Sequence, residues 1–430
     1  MHNRRIAIAL VMATVLPAAR VLRAGQPPAP LAFPGAQGFA AHVTGGRGCP
    51  VYHVTTLDDA GPGSFRDAVS RGHRTVVFDV GGYVRLRSPV SVSGDLTLAG
   101  QTAPGEGIGT LGYEVSFGKS SNVIVRYLRF RQGATPRQEK KSAVAITGGQ
   151  GLIFDHCSIE WGRWDTVDMN KGRDITFQWC IIGQGVSPQR FGSLCQCDRV
   201  TFTHDLWIDN QSRNPKAKGV PIQFVNNVVY NWGGAGGFVE GHSAADSYDD
   251  LVGNYFVAGP SSSAGHAFAM GTPTDHVYSA DNWIDLDRDG TLNGKPATAE
   301  QLGHVTVCPA PSAPMDDDLH IDPATVAFAK VVAEVGCSLH RDSVDRALVD
   351  QVRSLGRSGK VVEKDENEAG GPGTLAGGPV PTCTVGDGVA DAWKRSHGLD
   401  VTRPIPPDQI GGAGVTVLEN YLNDRAAKAQ

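Results

Sequence analysis

Two groups of charged residues in this 430-residue chain could do chemistry together. Acids gather at Asp155, Asp165 and Asp168, and bases gather at Arg213, Lys216 and Lys218. Neighbouring carboxylates can hold a hard cation through oxygen. Clustered guanidinium and ammonium groups grip carboxylates or phosphates. In Arg213-Asn-Pro-Lys the proline interrupts any strand, which suits a loop projecting into a cleft. The set fits metal-assisted work on an anionic substrate. A formal net charge of -5 gives no general attraction to nucleic acid or to an acidic polymer, so a polyanion must be gripped locally. Zinc chemistry is poorly served. The eight cysteines include no C-x-x-C pair, and Cys195-x-Cys197 is a poor metal spacing. Cys157 and Cys180 fall inside apolar runs and are expected as small buried hydrophobes, while any disulfide pairing is unreadable.

The elements that must carry these groups recur at intervals of roughly 22 to 29 residues, a solenoid period. They are VIVRYLRF from Val123, LIFDHCSI from Leu152, ITFQWCII from Ile175, VTFTHDLW from Val200 and IQFVNNVV from Ile222. GNYF at Gly253 and ADNWI at Ala280 continue the series more loosely. Each run alternates apolar and polar residues and ends in Gly, Asn or Asp, as a strand entering a turn should. Alignment makes Cys157, Cys180, Asp205, Asn227, Asn254 and Asn282 equivalent. Repeated Asn at one place suits a ladder in which each side chain bonds the next rung. Few Asn-Gly or Asp-Gly pairs separate the runs, so parallel coils are favoured over an antiparallel sandwich. Val123, Leu152, Ile175, Val200 and Ile222 should begin strands of one sheet.

Other stretches read differently. Residues 1–25 form a positive start (His2, Arg4, Arg5), an apolar run from Ile6 to Leu16 and small residues at Ala18, Ala19 and Ala24. That is an export signal, with a weak twin-arginine hint, and it predicts a secreted protein, extracellular or periplasmic, with no membrane span in the mature form. The coils should occupy 30–300. Pro323 to Gly336 and Ser343 to Leu355 have helical spacing within a tail over 301–365, the second capped by Ser343. Residues 366–382 form a Gly/Pro linker, and 383–430 a small separate module.

FPGAQGF at Phe33, LAGQTAPGEGI at Leu98, DHCSIEWG at Asp155, NQSRNPKAK at Asn210 and FVNNVVYNWG at Phe224 resemble successive signatures of the pectate lyase family. HRDSVDR at His340 resembles the tail that follows the helix in many bacterial, secreted members. The resemblance runs from about residue 33 to 365. It implies a right-handed parallel β-helix in an all-β, pectin lyase-like fold. It also implies calcium-assisted β-elimination of a uronic-acid polymer such as pectate, by a protein acting as a monomer. GDGVADAWKRSHGLD at Gly386 resembles an appendage of such lyases, and the resemblance implies a calcium-binding loop there. Here only Asp387 and Asp391 remain in its loop, too few oxygens for a full site.

β-Elimination removes a weakly acidic proton beside a carboxylate, so cations must offset the charge that develops. The resemblance makes Arg213 the proton-abstracting residue, with Lys216, Lys218 and Arg190 binding uronate carboxylates. Arginine normally stays protonated, so neighbouring cations and calcium would have to lower its pKa. Asp168 fits the second acidic calcium ligand. Asp165 is read as the other calcium ligand, offset by one place because Trp164 stands where that acid is expected. The upstream ligand falls on or near Ser142, with Glu139 close by. Asp155 in the DHC pattern reads as a local backbone anchor. Trp161, Trp164 and Trp232 could stack on sugars or pack in the core. Two other readings compete: a non-catalytic carbohydrate-binding β-helix, and a polygalacturonase-type hydrolase. The hydrolase needs a carboxylate pair, for which Asp249-Asp250 is the weak candidate.

Overall fold

The computed structural model describes residues 29–133, 140–241, 245–263, 265–315 and 318–427. The export signal and Glu139 lie outside the described residues. The backbone winds as a parallel β-helix. Leu152 pairs with Val123 and with Ile175, Ile175 with Val200, and Val200 with Ile222, all in parallel. The five residues therefore share one row, as expected. They do not all begin strands, because Ile175 and Val200 lie inside the long strands Asp165–Gln178 and Phe191–Thr203. Each of these two strands runs through two successive ladders of a 17-stranded sheet, with a register shift between Asn170 and Arg173. A ten-stranded sheet closes the coil, and its last pairing, Trp283–Asp285 with Lys295–Pro296, is antiparallel.

The interior holds because identical positions stack. Phe154, Phe177 and Phe202 form a column with ring centroids 4.5 and 5.6 Å apart. Burying each ring contributes about 1.5–3 kcal/mol. At the corner entering the ten-stranded sheet, Asn227 N–H donates to Asn254 Oδ1 at 2.8 Å, and Asn254 N–H to Asn282 Oδ1 at 3.1 Å. Their amide nitrogens donate back to the carbonyls of Phe202, Phe224 and Leu251. The Asn ladder thus satisfies its buried polar atoms in both directions. Asp205 extends it, accepting from Cys180 N–H at 2.7 Å. Its second oxygen finds no partner among the described residues, and burial raises its carboxyl well above the usual range. None of the eight cysteines is disulfide-bonded, and Cys157 and Cys180 are fully buried.

Among the described residues, five α-helices decorate the coil: α1 (Phe65–Val69), α2 (Ala324–Glu334), α3 (Ser343–Arg353), α4 (Asp391–Ser396) and α5 (Val417–Ala427). None of them is long and apolar enough to cross a membrane. The cap of α3 is Asp342 and not Ser343, because the Asp342 carboxylate takes the Asp345 N–H at 2.9 Å. The stretch expected as a separate module rests on the first coils. Val389, Leu418, Tyr421 and Leu422 pack with Val77 and Ala99, and Arg47 pairs with Glu419 at 2.7 Å. In its loop, Asp387 is neutralised by the buried Lys394 at 2.5 Å, so it has a cation already.

Candidate active site

The second ladder of the large sheet sets the spacing of the charged groups. Asp168, Leu194 and Lys216 occupy one row on successive strands, so roughly 9–10 Å separates the outer two backbones. Their neighbours Val167, Ser193 and Ala217 are buried, as strand alternation requires, and Asp168 and Lys216 are left partly exposed. Near the start of the same strands, Asp165 pairs with Phe191, and Phe191 bridges to Ser212. Arg213 follows with a left-handed φ of 64°. Its side chain folds back across Phe191, the guanidinium carbon 4.2 Å from the ring centroid. Nη1 then donates to both oxygens of the fully buried Asp165, at 3.0 and 3.1 Å. The aromatic ring lies beneath the cation and the carboxylate stops its travel.

The loop under Arg213 is fixed as firmly as its side chain. Asn210 donates to Ile182 O and to Asn214 Oδ1, and accepts from Gly185 N–H. Ser193 N–H donates to Arg213 O at 2.8 Å. At Gly192 a Cβ would come within 2.3 Å of that same oxygen, so only glycine lets the loop lie this close.

Burial pushes the Asp165 carboxyl up to about 6, against the pull of Arg213 and with help from Asp168. Asp168 is also raised, first by burial and then by the charge of Glu114. Glu114 precedes Val115, two strands before Val167 in the ladder, and accepts from Ser142 N–H at 3.3 Å. Lys141 reaches it at 3.3 Å. Burial and then the charge of Arg213 lower Lys216. The negative charge of Glu114 bears on Asp168, so these two are the residues that could hold an added hard cation. Among the described residues no group of three or more His, Cys, Asp or Glu side chains could hold a metal by itself. Calcium needs six or more oxygens, so a ligand or water would have to supply most of them.

No protein-family model matches the chain. Curated relatives do. It is 42% identical over 399 residues to a probable pectate lyase C of Aspergillus terreus, covering 91% of this chain and 93% of that one. The chain belongs to the pectate lyase family. A probable pectate lyase C of Aspergillus fumigatus is 43% identical over the same shares. These relatives are fungal, whereas the tail motif pointed to bacterial members. The fold is that of a Bacillus subtilis pectate lyase variant, with a TM-score of 0.51 at 14% identity over 73% of this chain and 99% of that one.

Within this polysaccharide lyase, the remaining sequence-derived candidates disperse. Lys218 follows Lys216 on the same face, with Nζ donating to Ala245 O at 2.5 Å. Arg190 is half-buried at the bend before Phe191, and its side chain makes no ion pair among the described residues. Asp155 lies in the other ladder, where Arg126, His156 and Gln178 occupy it at 2.7 to 2.9 Å. Trp161 and Trp232 are fully buried, and Trp161 donates to Gln184, so both are core. Trp164 alone of the three is partly exposed. Asp250 is held by Ser312 and Ala313 and Asp249 is buried inside the coil, so that pair does not face the cleft ladder. Sequence reasoning missed Glu114 and Phe191. Register alone joins them to the site, because each sits a coil or more away from its partner.

Proposed function

We propose that this lyase is a secreted enzyme that cleaves pectate-type uronic-acid polymer by calcium-assisted β-elimination, with Arg213 as the base. What supports it is one arrangement: Arg213, held over Phe191 by Asp165, lies within electrostatic reach of both Asp168 and Lys216. Lys216 and Lys218, two residues apart on one face, would bind substrate carboxylates, with Arg190 at the cleft edge. Asp165 acts through Arg213 and so has a positioning role. It fixes the guanidinium until the substrate's own carboxylate competes for it. The proton beside the uronate carboxylate passes to Arg213, its electron pair forms the new carbon–carbon double bond, and the glycosidic oxygen leaves with the bonding pair and takes a proton from water. Calcium, held by Asp168 and Glu114 with substrate oxygens, would withdraw charge from the reacting carboxylate.

Arg213 needs relief from its proton to act as a base. The adjacent Lys216 supplies like charge, and a calcium ion bound nearby would add to it. The test is ultraviolet absorbance during incubation with polygalacturonate, with and without calcium. Elimination creates a conjugated double bond, and neither hydrolysis nor simple binding does. Absorbance that rises only with calcium is expected. Reducing ends without absorbance would make the protein a hydrolase. Export rests on residues 1–25 and on the size of a polymer that cannot enter a cell. N-terminal sequencing of protein recovered from the medium should begin beyond Ala18.

A further inference from the structure

Two acids stand where the solenoid otherwise keeps apolar side chains. Ile175, Val200, Ile222, Asp249 and Val277 occupy one interior row on successive strands. Asp249 therefore lies between Ile222 and Val277. Met169, Cys195 and Ala217 form a second interior row, and Glu240, one residue beyond Val239, comes next in it. Glu240 is 1% exposed and Asp249 0%. The two side chains are in hydrogen-bond contact with each other. No donor among the described residues reaches any of their four oxygens. Ser247 lies beside Asp249 but gives its one proton to Asp275 Oδ1 at 2.8 Å.

A carboxylate pair without donors cannot carry two charges in such a place. One carboxyl must keep its proton and donate it to the other. We propose that Glu240 and Asp249 share a single proton and act as a pH device in the coil beside Lys216, which is firm while the proton is held and loosened once it is lost.

The surroundings agree. Asp275 on the strand above and Asp250 on the same strand add negative charge, and the Cys195 thiol faces Asp249 from an earlier coil. Cations on the packed strands are turned away: Lys218 bonds Ala245 O, and His276 pairs with Asp246 at 3.5 Å. Burial raises both acids; the charge of Asp249 adds to the rise at Glu240, and those of Asp275 and Asp250 add to it at Asp249. Raised carboxyl groups stabilise least where the unfolded chain has already ionised. Stability from this pair is therefore whole below about pH 4 and is lost as pH rises above it.

The test is the melting temperature of the full-length protein from about pH 4 to 8. In Glu240→Gln the amide donates to an ionised Asp249 and no proton has to be shared. The wild type should lose roughly 2 °C or more against this variant as pH rises. Should the single variant not fold, Glu240→Leu with Asp249→Val restores the apolar pattern of neighbouring coils and should show the same relative gain. A wild-type-minus-variant infrared difference at about pH 6 should contain one protonated-carboxyl stretch. Parallel melting curves across the range, or a difference spectrum without that stretch, would overturn the proposal.

Discussion

Arginines meet carboxylates in two places in this molecule, and the two places behave differently. Beneath α3, Arg131 bonds Glu160 and Asp345 at 2.8 Å each and also bonds Asp342, while Arg129 lies 3.5 Å from Asp342. All five side chains are at most 1% exposed. Two cations face three acids, and the balance is met because burial lifts Glu160 to about 8. On the second ladder, Arg213 meets Asp165, and Asp168, Lys141, Lys216 and Lys218 stand around them partly or fully exposed, with Glu114 buried beside them. The first cluster is closed off from solvent and clamps the HRDSVDR tail to the coil. The second leaves charge for something outside the protein to complete. Identical residue types serve stability where they are closed off and chemistry where they are left open.

The largest effect expected is on Arg213. Arg213→Lys keeps the charge but loses the reach and the planar fork, and should cost on the order of 10²- to 10⁴-fold in turnover with substrate affinity largely kept. Steady-state kinetics on polygalacturonate decide it, and near-normal turnover would make Arg213 a binding residue. The closed cluster should answer oppositely. Arg131→Met takes the cation from Glu160 and leaves Asp342 and Asp345 with Arg129 alone, and should cost about 3–5 kcal/mol in denaturant unfolding. Molecules that remain folded should turn over normally. Asp168→Asn and Glu114→Gln should each raise the calcium needed for half-maximal activity, on the order of tenfold. If calcium has no effect on the wild type, the open cluster holds no metal.

Two smaller effects sharpen the contrast. Asp205 occupies an Asn position of the ladder with a carboxyl raised by burial. Raised acids lose stability as pH climbs above the unfolded value, so Asp205→Asn should match the wild type near pH 4 and gain roughly 1–3 kcal/mol by pH 8. Thermal melts at the two pH values read it directly. Lys218→Ala should weaken polymer binding modestly, more at low salt than at high, because an exposed cation is screened.

Local signals in the chain determined the coils. Val123, Leu152, Ile175, Val200 and Ile222 showed their shared row because strand alternation and turn residues are written into short segments. Asn227, Asn254 and Asn282 showed the ladder because one position repeats. The NQSRNPKAK segment displayed its bases for the same reason, since all of them lie on one loop and strand. Tertiary structure alone decided which charges meet. Asp165 and Arg213 are joined by reach across Phe191, and Glu114 approaches Asp168 from two coils earlier. Winding at 22 to 29 residues per coil, roughly, brings such residues together. A difference of one residue in coil length would move a side chain to the opposite face. No local pattern carries that register, so the sequence names the groups and the stacking selects the pairs.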